Sequence, residues 1–205
     1  MPFHLLVAYY VVDHAFVNNT KLSKMDDKKL WTHFIWVVLV FLAFTFDVFL
    51  SNPLGILLLI LSIGVTVTLD MGRKKLSNHL IEIIAFFIFL FFTLLGKSYL
   101  SRSFVTTEFS WYLLGMLATT VGVTYFLRGR ILAENATDSI GIAERMSIFI
   151  FVLAGHWEWT LIAIGAALTF RVVFSKDGKI EWLISPVAGV GLSFLWQLLM
   201  RSMLG

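Results

Sequence analysis

The sequence contains no cysteine, which excludes disulfide bonds and thiolate metal sites. It is also poor in charge, because Asp, Glu, Lys and Arg make up only 14% of its 205 residues, against roughly a quarter in soluble domains. Hydrophobic residues, in contrast, make up 59% of the chain. A soluble domain of this size exposes much of its surface to water, so this composition favours lipid as the solvent.

Eight continuous apolar segments follow one another along the chain. They cover roughly residues 3–18, 30–50, 54–70, 79–96, 111–127, 145–155, 157–174 and 181–203. A spanning helix needs about 20 residues, within a range of about 17–25, so several segments are at or below the lower limit. We predict an all-α polytopic bundle of seven to eight short transmembrane helices, forming one integral membrane domain over residues 1–205. The sixth and seventh segments are the weakest candidates for spanning helices, and a re-entrant hairpin is an alternative for them.

The basic residues predict the orientation of this bundle. Thirteen of the 16 Lys and Arg residues lie in alternate connectors or at their borders. Positively charged loops stay in the cytoplasm, so these connectors are predicted to be cytoplasmic and the protein is predicted to lie in a bacterial inner membrane. The cytoplasmic connectors are those around residues 19–29, 71–78, 128–144 and 175–180. The lipid bilayer is the expected partner, because a net charge of +3 spread between apolar runs does not indicate nucleic-acid binding.

Six ionisable residues lie at the cytoplasmic ends of four predicted helices. They are Asp13, His14, His33, Asp70, His79 and Glu82. A charge at a helix centre in lipid costs about 2.5–3.5 kcal/mol on insertion scales, so ionisable residues that remain there usually face the bundle and serve a function. We therefore predict a shared ligand-binding site at this leaflet level. Its carboxylates and imidazoles are ligands that a divalent metal such as zinc prefers, and the predicted metal ligands are Asp13, His33, His79 and Glu82.

Glu144 and Arg145 open the sixth segment and are predicted to form structural ion pairs. Adjacent residues do not face each other on a helix, so the two should have different partners. Glu144 is expected to turn toward a basic or hydrogen-bonding group of the bundle. Arg145 is expected to reach a carboxylate such as Asp70 or a lipid phosphate, since its planar fork suits both.

Small residues at four-residue spacing predict close contacts between helices. Ser185, Gly189 and Ser193 show this spacing in the last segment, and Ala118 and Gly122 show it in the fifth. Such residues let helix backbones approach each other in lipid. The pattern favours packing within the chain over a homo-oligomer interface, which is kept as an alternative.

Several of these residues belong to short motifs. The motifs are Tyr9-x-x-x-Asp13 followed by Lys21 and His33, Asp70 with Arg73 and Lys74, Asn78-His79-Leu80-Ile81-Glu82, and Ile140-Gly141-Ile142-Ala143-Glu144-Arg145. In this order and over most of its length, the chain resembles the bacterial multi-pass membrane proteins grouped as domain-of-unknown-function 3307. The Ile-Gly-x-x-Glu-Arg motif is its most specific element. The resemblance implies a multi-pass fold and assigns no activity.

The chain departs from that family at three positions. Tyr9 and Glu82 stand where the family has histidines, and Asn78 stands where it has aspartate. If those family positions bind a metal ion, this chain keeps fewer of the ligands.

The sequence leaves three hypotheses open for the function. The first is a protein that binds or moves an ion or small solute at the cytoplasm-facing site, since ionisable groups inside a membrane mark such pathways. The second is a non-catalytic subunit of a signalling or defence system, in which protein partners provide the activity. The third is a metal-dependent hydrolase of a phosphate-bearing or lipid substrate, in which a metal ion activates water.

Overall fold

A computed structural model describes residues 1–15, 27–73, 75–127, 138–174 and 181–204. The described residues form helices and no strand, which confirms the predicted all-α bundle. The helices are α1 (His4–Tyr10, continued by a π-helical turn at Val11–Ala15), α2 (Asp27–Phe49), α3 (Pro53–Gly72), α4 (Asn78–Leu95), α5 (Lys97–Leu100), α6 (Thr107–Leu117, a π-helical turn at Ala118–Gly122, and Val123–Leu127), α7 (Ser139–Ala154), α8 (Trp157–Phe174) and α9 (Glu181–Leu204).

Local sequence signals set several of the helix ends. Asn52 caps α3, where its side chain accepts a hydrogen bond from the Gly55 amide at 2.7 Å, and Pro53 occupies the first helical position. Ser77 caps α4 by accepting from the Leu80 amide. At the end of α7, Gly155 adopts a positive φ of 78°, a left-handed conformation that glycine adopts without steric cost.

One predicted boundary is wrong. We expected Glu144 to lie in the first turn of the sixth segment, but α7 begins at Ser139, so Glu144 and Arg145 lie in its second turn. Only Ile140 and Ile142 are apolar in the turn that precedes them, which is too short a run to indicate a helix, although Asp138 stands at the N-cap position that aspartate favours.

Six of the described helices are long and apolar enough to cross a membrane. They are α2 from Trp31 onward, α3, α4, α6, α8 and, from Leu183 onward, α9. In α8 only 11% of the helix is buried, and Leu161 and Phe174 are among its exposed apolar side chains. Water would oppose the exposure of so much apolar surface on successive helices, whereas acyl chains would cover it. Helices α1 and α7 are not among these candidate spans.

The chain forms two compact units, residues Met1–Leu114 and Gly115–Gly205. In the first unit, α1 is the innermost helix and packs against α2 and α4. Its residues from Leu5 to Tyr9 are all buried, as expected for a helix that is apolar on every side. Tyr9 stacks on Phe89 with 4.7 Å between ring centroids, and Phe41 packs on the same ring.

In the second unit, α7 packs against both α8 and α9. A Cβ atom at Gly189 would lie 3.1 Å from Arg145 Cγ, so the small residue lets α9 approach α7 closely. Ser185 and Ser193 are buried on the same helix. Ala118 and Gly122 border an apolar groove of about 530 Å³ beside α9.

Candidate functional site

The ends of three helices bring a set of ionisable side chains together inside the first unit. Asp13 lies on the π-helical turn that follows α1, Asp70 and Arg73 lie at the end of α3, and Glu82 lies near the start of α4. A π-helical turn shifts the helix register by one residue, and such turns are frequent at functional sites.

Arg73 is the centre of this set. Its Nη2 atom donates to Asp13 Oδ2 at 2.5 Å, to Glu82 Oε1 at 2.9 Å and to the Tyr9 hydroxyl at 3.1 Å. Its Nε atom lies 3.5 Å from Asp70 Oδ1. The Arg73 side chain is fully buried, so these carboxylates supply the compensation that a buried charge requires.

His14 lies at the border of the set and faces two of the carboxylates. Its Nε2 atom is 3.2 Å from Glu82 Oε2 and 3.4 Å from Asp13 Oδ2. The side chains of His14 and Glu82 are 13% and 14% exposed, whereas that of Asp13 is 1% exposed. The ligand atoms of these three residues all lie within 4.8 Å of one another. They therefore form a group of one imidazole and two carboxylates, of which His14 and Glu82 are partly exposed.

His33 joins the network through Asp70. Its Nε2 atom lies 3.0 Å from Asp70 Oδ2, and both side chains are buried. Asp70 in turn contacts Arg73, so a continuous chain of polar contacts runs from His33 to His14.

The structure thus places five of the six predicted site residues in one network, which are Asp13, His14, His33, Asp70 and Glu82. His79 is exposed on α4 and is outside the three-ligand group. Of the four predicted metal ligands, only Asp13 and Glu82 belong to that group. His14 supplies the imidazole there, whereas His33 faces Asp70. Lys21 of the first motif lies outside the described residues.

The network has more negative than positive groups. Asp13, Asp70 and Glu82 surround one arginine, so with neutral imidazoles and ionised carboxylates two negative charges remain uncompensated. Either bound protons or another bound cation would neutralise the excess negative charge of the network.

A second polar cluster lies in the second unit around Glu144 and Arg145. Glu144 Oε2 accepts from Arg171 Nη2 at 2.5 Å and from Ser185 Oγ at 3.1 Å. Arg145 donates to Ser185 Oγ at 2.7 Å and to Asp138 Oδ2 at 2.7 Å. Two carboxylates thus balance two guanidinium groups in this cluster.

The partners of Glu144 and Arg145 correct one prediction. The two residues have different charged partners, although both contact Ser185, and Glu144 does turn to basic and hydrogen-bonding groups. The carboxylate that Arg145 reaches, however, is Asp138 and not Asp70. Asp138 precedes Arg145 by seven residues, two helical turns, and so lies on the same side of α7.

Three residues that carry these clusters were not predicted as site residues. The sequence predicts Arg73 only as a connector charge and as part of the motif with Asp70 and Lys74, and it assigns no site role to Arg171 or Asp138. The spacing of Asp70 and Arg73, three residues apart at the end of a helix, was a signal for the first of them. Arg171 lies three residues before the end of an apolar helix, a position at which an unpaired arginine is costly.

The fold, its apolar surface and the buried polar network define a class: an α-helical integral membrane protein with an ionisable site inside one unit. Comparison of the chain with protein-family models, curated proteins and solved structures finds no match in any of the three.

Proposed function

We propose that this protein binds a cation at the buried network of Asp13, Asp70, Arg73 and Glu82 and moves it, or a solute coupled to it, across a bacterial inner membrane. The observation that carries the proposal is that three carboxylates inside the first unit contact a single arginine. A buried carboxylate without a compensating charge costs several kcal/mol, so the site favours a bound cation or protons.

Hydroxyl groups inside the first unit support movement in addition to binding. Ser62, Thr66 and Asp70 follow one another at four-residue spacing on the buried face of α3. Among the described residues, the Ser62 and Thr93 hydroxyls are buried without a hydrogen-bond partner. Buried hydroxyls normally have partners, so these groups remain able to bind a passing ion or water molecule.

The basic connectors support a cytoplasmic position for the network. Lys75 follows Arg73 in the connector between α3 and α4, and the positive-inside rule assigns such connectors to the cytoplasm. The resemblance to the domain-of-unknown-function 3307 family stays a prediction.

The test is a flux assay on liposomes that contain the purified protein and an internal pH-sensitive or metal-sensitive dye. An imposed gradient of protons, or of a divalent cation, should dissipate faster than in liposomes without protein. Thr66→Val should slow that flux several-fold, because it removes a buried hydroxyl at nearly constant volume. Thr68→Val is the matched control, since Thr68 lies on the same helix, is exposed, and should not matter.

Wild-type flux equal to that of empty liposomes for every cation would refute the proposal. If Thr66→Val and Thr68→Val slowed the flux equally, an ion path along the buried hydroxyl groups of α3 would be refuted.

A second candidate is a non-catalytic subunit of a multi-protein assembly. The exposed apolar surface of α8 favours it, because lipid or a partner helix could cover this surface equally well. Co-purification of a stoichiometric partner that is lost on polar substitution of Leu161, but not of the exposed Phe87 on α4, would support it. The hydrolase hypothesis gains no separate support from the described residues.

A further inference from the structure

We propose that Asp13, His14 and Glu82 form a binding site for one divalent transition-metal ion of the Zn²⁺ class. This inference rests on the proposed cation-binding function and deepens it by naming the ion class and its ligands. The donor set consists of one imidazole nitrogen and two carboxylate oxygens, which suits zinc and its neighbours in the first transition series.

The distances between the donor atoms fit a metal shell. Zinc bonds to nitrogen and oxygen measure about 2.0–2.2 Å, and a tetrahedron with such bonds has edges of about 3.3–3.6 Å. His14 Nε2 lies 3.4 Å from Asp13 Oδ2, which is inside that range, and 3.2 Å from Glu82 Oε2, which is about 0.1 Å below it. Only small side-chain movements are therefore needed for the imidazole and the two carboxylates to share an ion.

The charge of the network fits a dication. With neutral imidazoles, the three carboxylates and Arg73 leave two negative charges, which one divalent ion would compensate in full. Metal ligation requires a neutral imidazole, so this state of His14 is the one that the site would use. Monovalent cations would leave one negative charge buried.

Arg73 and Tyr9 would orient the metal ligands through their hydrogen bonds to the carboxylates. Arg73 donates to Glu82 Oε1, which leaves Oε2 directed at His14. Arg73 and Tyr9 both donate to Asp13 Oδ2, and an ionised carboxylate has further lone pairs for a metal ion. Such second contacts fix ligand geometry in metal sites. His14 and Glu82 are partly exposed, which gives an ion access to the site, and a water molecule would supply the fourth ligand of a four-coordinate zinc ion.

The experiment measures Zn²⁺ binding to the purified, tag-free chain in detergent by competition with a chromophoric chelator. We expect one ion per chain in the wild type. His14→Ala should weaken binding at least about tenfold, since loss of even a second contact costs this much in metal sites. His156→Ala is the matched control, because His156 also pairs with a carboxylate, Glu158, but is exposed. His79→Ala should also retain binding.

Two further measurements distinguish the loss of the metal site from the loss of folding. Glu82→His keeps a metal-binding side chain and should retain zinc, whereas Glu82→Gln should lose it. Co²⁺ bound at the site should give the intense visible absorption of a four-coordinate ion, and this absorption should be absent in His14→Ala.

The outcomes separate this inference from the function on which it rests. Absence of stoichiometric zinc in a wild type that still conducts protons would overturn the metal site and leave the proposed function standing. Binding that depends on His33 or His156 but not on His14 would also overturn it. Stoichiometric zinc that His14→Ala abolishes would support the site even if no flux were found, and the transport proposal alone would then fail.

Discussion

The Arg73 guanidinium donates from Nη2 to Asp13 Oδ2 at 2.5 Å, although 60 residues separate the two along the chain. This contact joins the end of α1 to the end of α3 inside the first unit. The same nitrogen also contacts Glu82, so one buried cation serves carboxylates from different helices. The consequences of removing the cation and of removing an anion should therefore differ.

Arg73→Gln should destabilise the protein by about 3–5 kcal/mol, because loss of one partner leaves buried charges without compensation. Glu82→Gln should change the stability by no more than about 1 kcal/mol, the net value of one hydrogen bond, because it also relieves the charge excess. Thermal unfolding in the same detergent, without added metal, measures both variants. Equal loss of stability in the two would show that the network does not carry the inferred excess of negative charge.

The depth of this network in the bundle could be predicted from the sequence. Connector charges and segment ends placed Asp13, Asp70 and Glu82 at one level, and the structure brings all three to Arg73. The rotation of each helix was harder to predict, because every segment is apolar on most of its surface and has no clear polar face.

Helix α4 shows why the rotation of a helix was hard to predict. Its buried stripe follows Ile81, Ala85 and Phe89, and at 100° per residue Glu82 lies beside that stripe. His79 lies roughly 120° away from the centre of the stripe, on the exposed side. The i, i+3 spacing of His79 and Glu82 alone therefore could not decide whether both side chains reach the polar network.

The turn between α2 and α3 gives a second prediction. A Cβ atom at Gly55 would lie 2.6 Å from the backbone Cα and O of Phe49, so Gly55→Ala must displace backbone. We expect a loss of about 1–3 kcal/mol, the usual cost of overpacking. Gly64→Ala, on the same helix, meets nothing within 4 Å and should be neutral or slightly stabilising. Thermal unfolding of the two alanine variants tests the difference, and an equal effect of both would contradict this packing.

The topology can be tested by cysteine labelling, since the chain has no native cysteine. In intact cells an impermeant maleimide should label Ser101→Cys and leave Lys75→Cys unlabelled, because basic connectors stay in the cytoplasm. Lys75 and Ser101 are both exposed. Labelling of Lys75→Cys from outside would invert the predicted orientation.

His156→Cys tests whether the pair α7 and α8 crosses the membrane. The Glu144–Arg171 contact places the start of α7 and the end of α8 at the same level, so His156 lies at the opposite end of this helical hairpin. A crossing pair predicts external labelling of His156→Cys. Its protection, with Ser101→Cys still labelled, would instead indicate the re-entrant alternative.

Arg145 should be difficult to replace even by lysine. Its guanidinium donates to Ser185 Oγ, Thr124 Oγ1, Asp138 Oδ2 and the Thr120 carbonyl, all inside the second unit. Lysine keeps the charge but has a single ammonium group, which cannot reach acceptors on so many sides. We expect Arg145→Lys to lower the folded yield in detergent. A wild-type yield and unfolding temperature would show that the charge alone suffices.

Ser185 should matter more than Ser193, although both are buried serines on α9. Ser185 accepts from Arg145 and donates to Glu144, so it links two charged groups, whereas Ser193 donates only to the Gly189 carbonyl of its own helix. Hydrogen bonds to charged groups are worth about 1.5–3 kcal/mol, against about 1 kcal/mol for neutral pairs. Ser185→Ala should therefore cost about 2–3 kcal/mol and Ser193→Ala less than about 1 kcal/mol, measured by thermal unfolding in detergent. In the Glu144→Gln background the cost of Ser185→Ala should fall, because one of its two charged partners is gone. An unchanged cost there would mean that Ser185 acts through packing and not through the link between Arg145 and Glu144.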